Sequence, residues 1–132
     1  MIRLVFALRR KPDMNRAEFQ DYWLRQHAPL VAGFATDLDI LRYVQTHTLD
    51  DPANKAAQAA RGDMEPEYDG VAELWWASEK DLTENLQSKA ARAAGAALLE
   101  DEQKFIDLPN SPLWFAYEYP QINPCPENVI AN

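Results

Sequence analysis

The sequence predicts an α+β fold of the ferredoxin-like type, with a four-stranded antiparallel sheet that carries helices on one face. Four short segments are rich in apolar, β-branched or aromatic residues, as strands are. Longer segments with helical periodicity lie between the first and second strands and between the third and fourth. The order is therefore β-α-β-β-α-β, which is the split β-α-β pattern of ferredoxin-like folds.

The length and composition indicate one domain. The 132 residues are 47% hydrophobic and 11% aromatic, which is enough for one substantial core and too little for two ordinary domains. We expect the domain to span residues 1–120 and a Pro-rich tail to follow over residues 121–132.

The first strand is expected over residues 2–9, where apolar side chains alternate onto both faces. Asn15 and Glu18 form a capping-box pattern, so a helix should begin near Arg16. Because Pro29 disfavours helical geometry at the residue before it, we expect this helix to kink or stop near its histidine. Its inward face carries Phe19, Tyr22, Trp23, Gln26, His27 and Leu30.

The middle of the chain contains two further strands. The second strand is expected over residues 40–49 and the third over residues 71–77, which the Asp69-Gly70 turn introduces. Residues 53–66 between them are alanine-rich and too long for a tight hairpin, so we expect a helical turn there and the capacity to act as a lid.

The last part of the chain predicts a second helix and a fourth strand. Ser78 is a suitable N-cap for the helix. We expect a further helical piece over residues 100–108 and the fourth strand over residues 113–119, which Pro120 ends. The second helix should run unbroken with an inward row of Leu82, Leu86, Ala90, Ala93, Ala97 and Leu98.

A homodimer is predicted from the strands themselves. They carry apolar residues on both faces, so the sheet face without helices needs a cover, and the sheet of a second copy is the simplest one. The tail over residues 121–132 is either an arm laid along the partner or a frayed terminus.

Several classes of function are excluded or disfavoured. The formal net charge of -8 and the pI near 4.7 argue against nucleic acid as a partner. No apolar stretch approaches the roughly 20 residues that span a bilayer, and the chain begins with strand-like sequence, so we expect a cytoplasmic protein without a membrane partner. Cys125 is the only cysteine, which excludes an intrachain disulfide. We predict no metal and no cofactor, since phosphate-loop and metal-protease motifs are missing.

A general acid or base is predicted at His27, one of only two histidines. It ends the aromatic face of the first helix, where a helix C-terminal dipole would favour its protonated form. The alternative is a histidine at the edge of the core that is hydrogen-bonded to a backbone carbonyl.

His47 and Glu73 are the candidate partners of His27 in proton transfer. His47 shares its strand face with Tyr43 and Gln45, and it is either part of this polar wall or exposed at the strand end. Glu73 lies in an apolar strand, where burial would favour its neutral form, or it pairs structurally with Arg3 or Arg42. Aromatic walls suit flat hydrophobic ligands, which makes the candidate substrate-binding residues Tyr22, Trp23, Tyr43, Trp76 and Tyr117.

Two blocks of the sequence resemble a known family. The run K-P-x-M-x-R-x-E-F-x-x-Y-W-x-x-x-H-A-P-L from Lys11 to Leu30 and the run Y-D-G-V-A-E-L-W-W from Tyr68 to Trp76 are similar to signatures of the EthD-domain family. The resemblance covers roughly residues 2–119. It implies a dimeric α/β barrel, a site between sheet and helices with a helix-end histidine at His27, and an acidic residue at Glu73.

The function predicted from these features is acid-base catalysis without a cofactor on a small hydrophobic, oxygenated substrate of aromatic or polyketide-like type. Dehydration, cyclisation and decarboxylation remain open as reactions, because each needs proton transfer beside a carbonyl or phenol. One alternative is a cofactor-independent oxygenase of anthrone or quinol type. The other is a non-catalytic accessory or ligand-binding protein of a degradation pathway, which the resemblance also implies.

Overall fold

The computed structural model describes residues 1–122 and contains four strands and five α-helices within them. The tail residues beyond Ile122, including Cys125 and most of the expected arm, lie outside the described residues. No helix within residues 1–122 is long and apolar enough to cross a membrane. In chain order the elements are β1 (Ile2–Leu8), α1 (Arg16–Tyr22), a π-helical turn (Trp23–His27), α2 (Ala28–Gly33), β2 (Arg42–His47), α3 (Pro52–Ala59), β3 (Gly70–Trp76), α4 (Glu79–Asn85), α5 (Lys89–Glu102), a short 3-10 turn (Leu108–Asn110) and β4 (Leu113–Tyr117).

The predicted fold class is confirmed. The strands form one antiparallel sheet in the order β2-β3-β1-β4, as the ferredoxin-like pattern requires. The register of the strands shows which side chains share a face of the sheet, because residues directly opposite each other in neighbouring strands point to the same face. One row across the sheet is Tyr43, Leu74, Leu4 and Phe115, and the next is Val44, Glu73, Val5 and Trp114. The first row faces the helices, since all four of its side chains line the cavity beneath them.

The first helix begins as predicted but does not end at His27. The Asn15 side chain accepts from the backbone of Glu18, and the Glu18 side chain closes the capping box. After Tyr22 the chain changes to π-helical winding and then continues as α2, with Pro29 in the first turn of α2, where proline is tolerated. The predicted helix C-terminal dipole at His27 is therefore wrong, because helical backbone runs on to Gly33.

The second helix is interrupted, which corrects the predicted unbroken element. Asn85 ends α4, and Ser88 caps α5 by accepting from the backbone N–H of Ala91 at 3.0 Å. The break shifts the helical phase by one residue, so the buried row of α5 differs from the predicted alanines. That row is Ala91, Ala94, Leu98 and Asp101.

The segment between β2 and β3 contains more helix than expected. The helix α3 covers Pro52–Ala59 and is capped by Asp51, whose side chain accepts from the backbone N–H of Ala53 at 2.8 Å. All of its residues are partly or fully exposed.

The core joins the first helix to the sheet. The most deeply buried large side chains are Leu8, Phe19, Trp23 and Phe105. Gly70 at the start of β3 permits this packing, because a Cβ atom there would overlap the ring of Trp23. The aromatic helix face predicted from the sequence is thus anchored on the sheet by the one residue type that has no side chain.

Candidate active site

A cavity of about 220 Å³ lies between the inner face of the sheet and the helices. Strand side chains such as Leu4, Phe6 and Leu74 form its floor, and helix residues such as Val31 and Leu98 form its roof. The lining is almost wholly apolar. Apart from two indoles, its polar side chains within residues 1–122 are those of His27, Tyr43 and Glu102. A small number of polar groups in an apolar cavity is typical of a ligand site.

The π-helical turn positions His27 on the wall of this cavity. Trp23 and His27 are the first and last residues of the turn, and both are buried and line the cavity. The ring of His27 also packs against Phe105 with the ring centroids 5.0 Å apart. Single π-helical turns inside α-helices are frequent at functional sites, because the extra residue redirects the side chains that follow.

Asp101 orients His27. The Nδ1 atom of His27 lies 2.7 Å from Oδ2 of Asp101, and the Tyr22 hydroxyl donates to Oδ1 of Asp101 at 2.6 Å. The ammonium group of Lys104 is 3.6 Å from the same Oδ1. With a carboxylate as its partner, Nδ1 carries the proton, and Nε2 is left as the free acceptor of the ring.

Burial determines the protonation states of this group. It lowers the pKa of His27 below the usual value and outweighs the opposing charge of Asp101. Burial acts to raise the pKa of Asp101, but the hydrogen bonds from Tyr22 and His27 outweigh it and the pKa is lowered. Burial, with Asp101, raises the pKa of Tyr22 to about 12. Near neutral pH the site therefore holds a neutral His27 beside a charged Asp101.

Glu102 brings a second titratable group to the same cavity. It is the last residue of α5, follows Asp101 directly, and lines the cavity with His27. Burial, followed by the charge of Asp101, raises the pKa of Glu102 from 4.5 to about 7. A neutral base and a carboxyl group that is still partly protonated near neutral pH are suited to complementary roles in proton transfer.

A polar row on β2 forms another wall of the site. Tyr43, Gln45 and His47 face the helices, as the predicted shared parity requires, and hydrogen bonds join them. His47 stacks on the ring of Trp23 with a centroid distance of 4.5 Å, and burial lowers the pKa of His47. Tyr43 lines the main cavity, whereas His47 lies in a shallower neighbouring pocket.

Two predicted site residues lie elsewhere. Glu73 is on the outer face of the sheet, where Arg3 approaches its carboxylate to 2.6 Å, so the structural alternative is the one observed. Tyr117 is 54% exposed and does not line the cavity; its hydroxyl donates a hydrogen bond to the carboxylate of Glu79.

Three other predicted residues are close to the cavity. Trp23 and Trp76 line it, and the indole N–H of Trp76 donates to the carbonyl of Leu38 at 2.8 Å. Tyr22 does not line the cavity, but its hydroxyl donates a hydrogen bond to Asp101, which in turn contacts His27.

Asp101 and Glu102 are two site residues that the sequence pattern did not predict. One signal was available for Asp101: it follows Ala94 and Leu98 at helical spacing, which places a carboxylate on an apolar helix face. No group of three or more His, Cys, Asp or Glu side chains within residues 1–122 is arranged to hold a metal ion.

Fold and site together define a ferredoxin-like α+β protein with an apolar cavity between sheet and helices that His27 and Glu102 line. Residues 11–109 match the EthD domain, and the chain belongs to the EthD-domain family. A relative from Metarhizium robertsii, named conidial pigment biosynthesis dehydratase EthD, is 27% identical over 123 residues, which cover 89% of this chain and 82% of the relative.

Solved structures share the fold. An EthD family protein from Bacillus halodurans C-125 is 18% identical with a TM-score of 0.58, and the match covers 90% of this chain and 100% of that one. A mutant of the cofactor-independent oxygenase SnoaB from Streptomyces nogalater is 14% identical with a TM-score of 0.52, covering 92% of this chain and 95% of that one. At these identities the likeness concerns the fold alone.

Proposed function

We propose that the protein is a dehydratase-type lyase that works by acid-base catalysis without a cofactor. The observation that carries this proposal is the pairing, in one apolar cavity, of a neutral His27 oriented by Asp101 with Glu102, whose pKa is about 7. The name of the Metarhizium robertsii relative, a dehydratase, supports the same reaction class.

In the proposed reaction, Nε2 of His27 removes a proton from the carbon next to a carbonyl group, and Asp101 stabilises the imidazolium that forms. Glu102 gives its proton to the hydroxyl group that departs as water from the neighbouring carbon. A C–H bond and a C–O bond break while a C=C bond forms. His27 then holds one extra proton and Glu102 lacks one, so a proton transfer from His27 to Glu102 restores the starting state.

The proposed substrate is small, uncharged and largely apolar. No Arg or Lys of residues 1–122 lines the cavity, so nothing there would neutralise a carboxylate or a phosphate. This favours dehydration over decarboxylation, which needs a carboxylate substrate; a cyclisation would use the same acid and base. A dry cavity of roughly 150 Å³ admits benzene. The cavity of about 220 Å³ is therefore suited to a molecule of one or two fused rings.

The test uses 3-hydroxy-1-tetralone, a neutral bicyclic β-hydroxy ketone that loses water to give fluorescent 1-naphthol. We expect turnover by the wild-type protein, and a loss of roughly 10²–10⁴-fold in kcat/KM for His27→Gln. Glu102→Gln should also lose activity. Its matched control is Glu100→Gln, the same change at an exposed position of α5, which should stay close to wild type.

The outcomes separate the rival functions. Full activity in His27→Gln, or no release of 1-naphthol by the wild type, contradicts the dehydratase proposal. Oxygen consumption without added metal or flavin would indicate an oxygenase, which would begin with the same proton removal. Binding of the ketone without turnover, unchanged in His27→Gln, would indicate an accessory or ligand-binding protein.

We also propose that the protein acts as a homodimer through the outer sheet face. The row Val44, Glu73, Val5 and Trp114 crosses this face, and Trp114 is 47% exposed. The Nε atom of Arg3, on the same face, is buried without a hydrogen-bond partner among residues 1–122. Sedimentation should show a dimer for the wild type and a monomer for Trp114→Glu; a monomeric wild type at micromolar concentration would contradict the proposal.

A further inference from the structure

A chain of hydrogen bonds runs along β2 from the surface to the cavity. It joins His47, Gln45 and Tyr43, which alternate along the strand on the face towards the helices. His47 lies in the shallower pocket, and Tyr43 borders both that pocket and the main cavity. The mechanism proposed above uses none of these three residues, although Tyr43 lines the same cavity as the proposed base His27 and the proposed acid Glu102.

The direction of each hydrogen bond in this chain follows from the chemistry of the end groups. The backbone carbonyl of Trp23 can only accept, so Gln45 presents its NH₂ group there, at 2.9 Å. The same NH₂ group donates to the hydroxyl oxygen of Tyr43 at 2.7 Å. The amide oxygen of Gln45 must then face His47, which donates from Nε2 at 2.8 Å.

This arrangement leaves the hydrogen of the Tyr43 hydroxyl available for donation. Its oxygen already accepts from Gln45, and no acceptor among residues 1–122 takes its hydrogen. Tyr43 is half-buried and lines the cavity together with His27 and Glu102. A hydroxyl oxygen that already accepts from Gln45 keeps its hydrogen for another acceptor, and a ligand in the main cavity that Tyr43 lines can supply that acceptor.

We propose that the Tyr43 hydroxyl donates a hydrogen bond to the carbonyl oxygen of the substrate, and that Gln45 and His47 are positioning residues that hold it in this donor orientation. This inference rests on the proposed function for its substrate class, a neutral ketone. When His27 removes the proton beside the carbonyl, negative charge develops on that oxygen. A donor fixed in advance in an apolar cavity stabilises such a charge more than water does.

The experiment uses 1-tetralone labelled with carbon-13 at its carbonyl. This ketone has no hydroxyl group to lose, so its binding is measured apart from catalysis. Isotope-edited infrared difference spectra report the carbonyl stretch, which a hydrogen bond lowers. We expect a lowered stretch in the wild-type complex. In Tyr43→Phe the lowering should disappear and the affinity should fall roughly tenfold.

Gln45→Glu tests the positioning role, since the variant keeps Tyr43 and the shape of the side chain but replaces the NH₂ donor with an acceptor. The phenol hydrogen should then turn to the carboxylate, and the carbonyl stretch of the ketone should return to its unbonded value. The control is Tyr119→Phe at an exposed tyrosine, which should leave the spectrum unchanged.

The results separate this inference from the proposed function. A lowered stretch that survives Tyr43→Phe overturns the donor role, and one that survives Gln45→Glu overturns the positioning role. Failure of the wild type to bind 1-tetralone overturns both roles. If Tyr43→Phe does not fold, Gln45→Glu decides alone, since loss of the lowered stretch there supports the donor. A lowered stretch that depends on Tyr43, without turnover of 3-hydroxy-1-tetralone, supports the donor and contradicts the dehydratase.

Discussion

Asp69 and Asp101 are two buried aspartates in one small domain, and they differ in what surrounds them. Asp69 is 3% exposed and Asp101 is 8% exposed. Asp69 accepts from the backbone and guanidinium of Arg10 and from Nε of Arg16 at 2.9 Å. Asp101 accepts hydrogen bonds from the neutral hydroxyl of Tyr22 and from the ring of His27, and its one positively charged neighbour among residues 1–122 is the exposed ammonium group of Lys104, 3.6 Å from Oδ1. Similar burial therefore accompanies two different kinds of partner.

The partners decide what each carboxylate can do. Arginine does not change its charge in the physiological range, so Asp69 ties the end of β1, the start of α1 and the entry to β3 into a fixed cluster. Burial opposes the charge of Asp69, but the bonds from Arg10 and Arg16 outweigh it and lower the pKa. Histidine can change its charge and has a second nitrogen, so a carboxylate beside it can support proton transfer.

The largest effect should come from Asp101→Asn. An amide in place of the carboxylate can donate to Nδ1 of His27, which moves the ring proton to Nε2 and removes the free base. We expect kcat for the dehydration of 3-hydroxy-1-tetralone to fall by roughly 10² or more. The measurement is release of 1-naphthol under saturating substrate. Unchanged turnover in the folded variant would show that Asp101 is as structural as Asp69.

The matched change Asp69→Asn should act on stability instead. Within residues 1–122 it removes the one carboxylate paired with Arg10 and one of the two paired with Arg16, while the cavity is untouched. We expect the free energy of unfolding at pH 7 to fall by roughly 2–3 kcal/mol, with turnover per folded molecule close to wild type. Urea unfolding followed by tryptophan fluorescence measures it. A variant with normal stability but impaired catalysis would reverse the comparison.

The difference between the two aspartates was only partly visible in the sequence. Capping by Asn15 and Glu18 and the alternation of the strands are local, and both were predicted. The partner of His27 depends on the phase of α5, which the cap at Ser88 resets. Ser88 is a favoured N-cap residue, but a serine inside a helical pattern does not by itself show that a new helix begins there.

Glu73 illustrates a second reason why the site was only partly predicted, since it was expected at the site and lies on the outer face of the sheet. Strand alternation shows which residues share a face, but not which of the two faces carries the helices. In this sheet both rows of β3 hold apolar side chains, so Glu73 and Leu74 were equally good candidates for the inner face. Packing of the helices against Leu74 decides this, and packing is a property of the folded chain.

Glu102 is a third partly buried carboxyl group, next to Asp101 in the chain, and it has no arginine partner among residues 1–122. The variant Glu102→Gln tests its buried charge through the dependence of stability on pH. The pKa of Glu102 is about 7 in the folded protein against an ordinary 4.5, so its stabilising contribution is complete below pH 4.5 and is lost as the pH rises through 7. At pH 8 the wild type buries a charge that glutamine lacks. We expect the variant to be more stable by about 1–3 kcal/mol at pH 8, and the gap to close near pH 4. An equal gap at both pH values in urea unfolding would contradict the shifted pKa.

The smallest effect is expected from Tyr22→Phe, which removes one hydrogen bond from Asp101 and leaves His27 in place. This hydrogen bond lowers the pKa of Asp101 and helps to hold its carboxylate in place, so its loss should leave Asp101 less firmly oriented while Nδ1 of His27 keeps its proton. We expect about 1 kcal/mol less stability and a loss of activity well below that of Asp101→Asn. Tyr119→Phe is the control, because its hydroxyl lies on the surface. If Tyr22→Phe lost as much activity as Asp101→Asn, the carboxylate would depend on its hydroxyl partner as strongly as Asp69 depends on its arginines, and the contrast between charged and neutral partners would not hold.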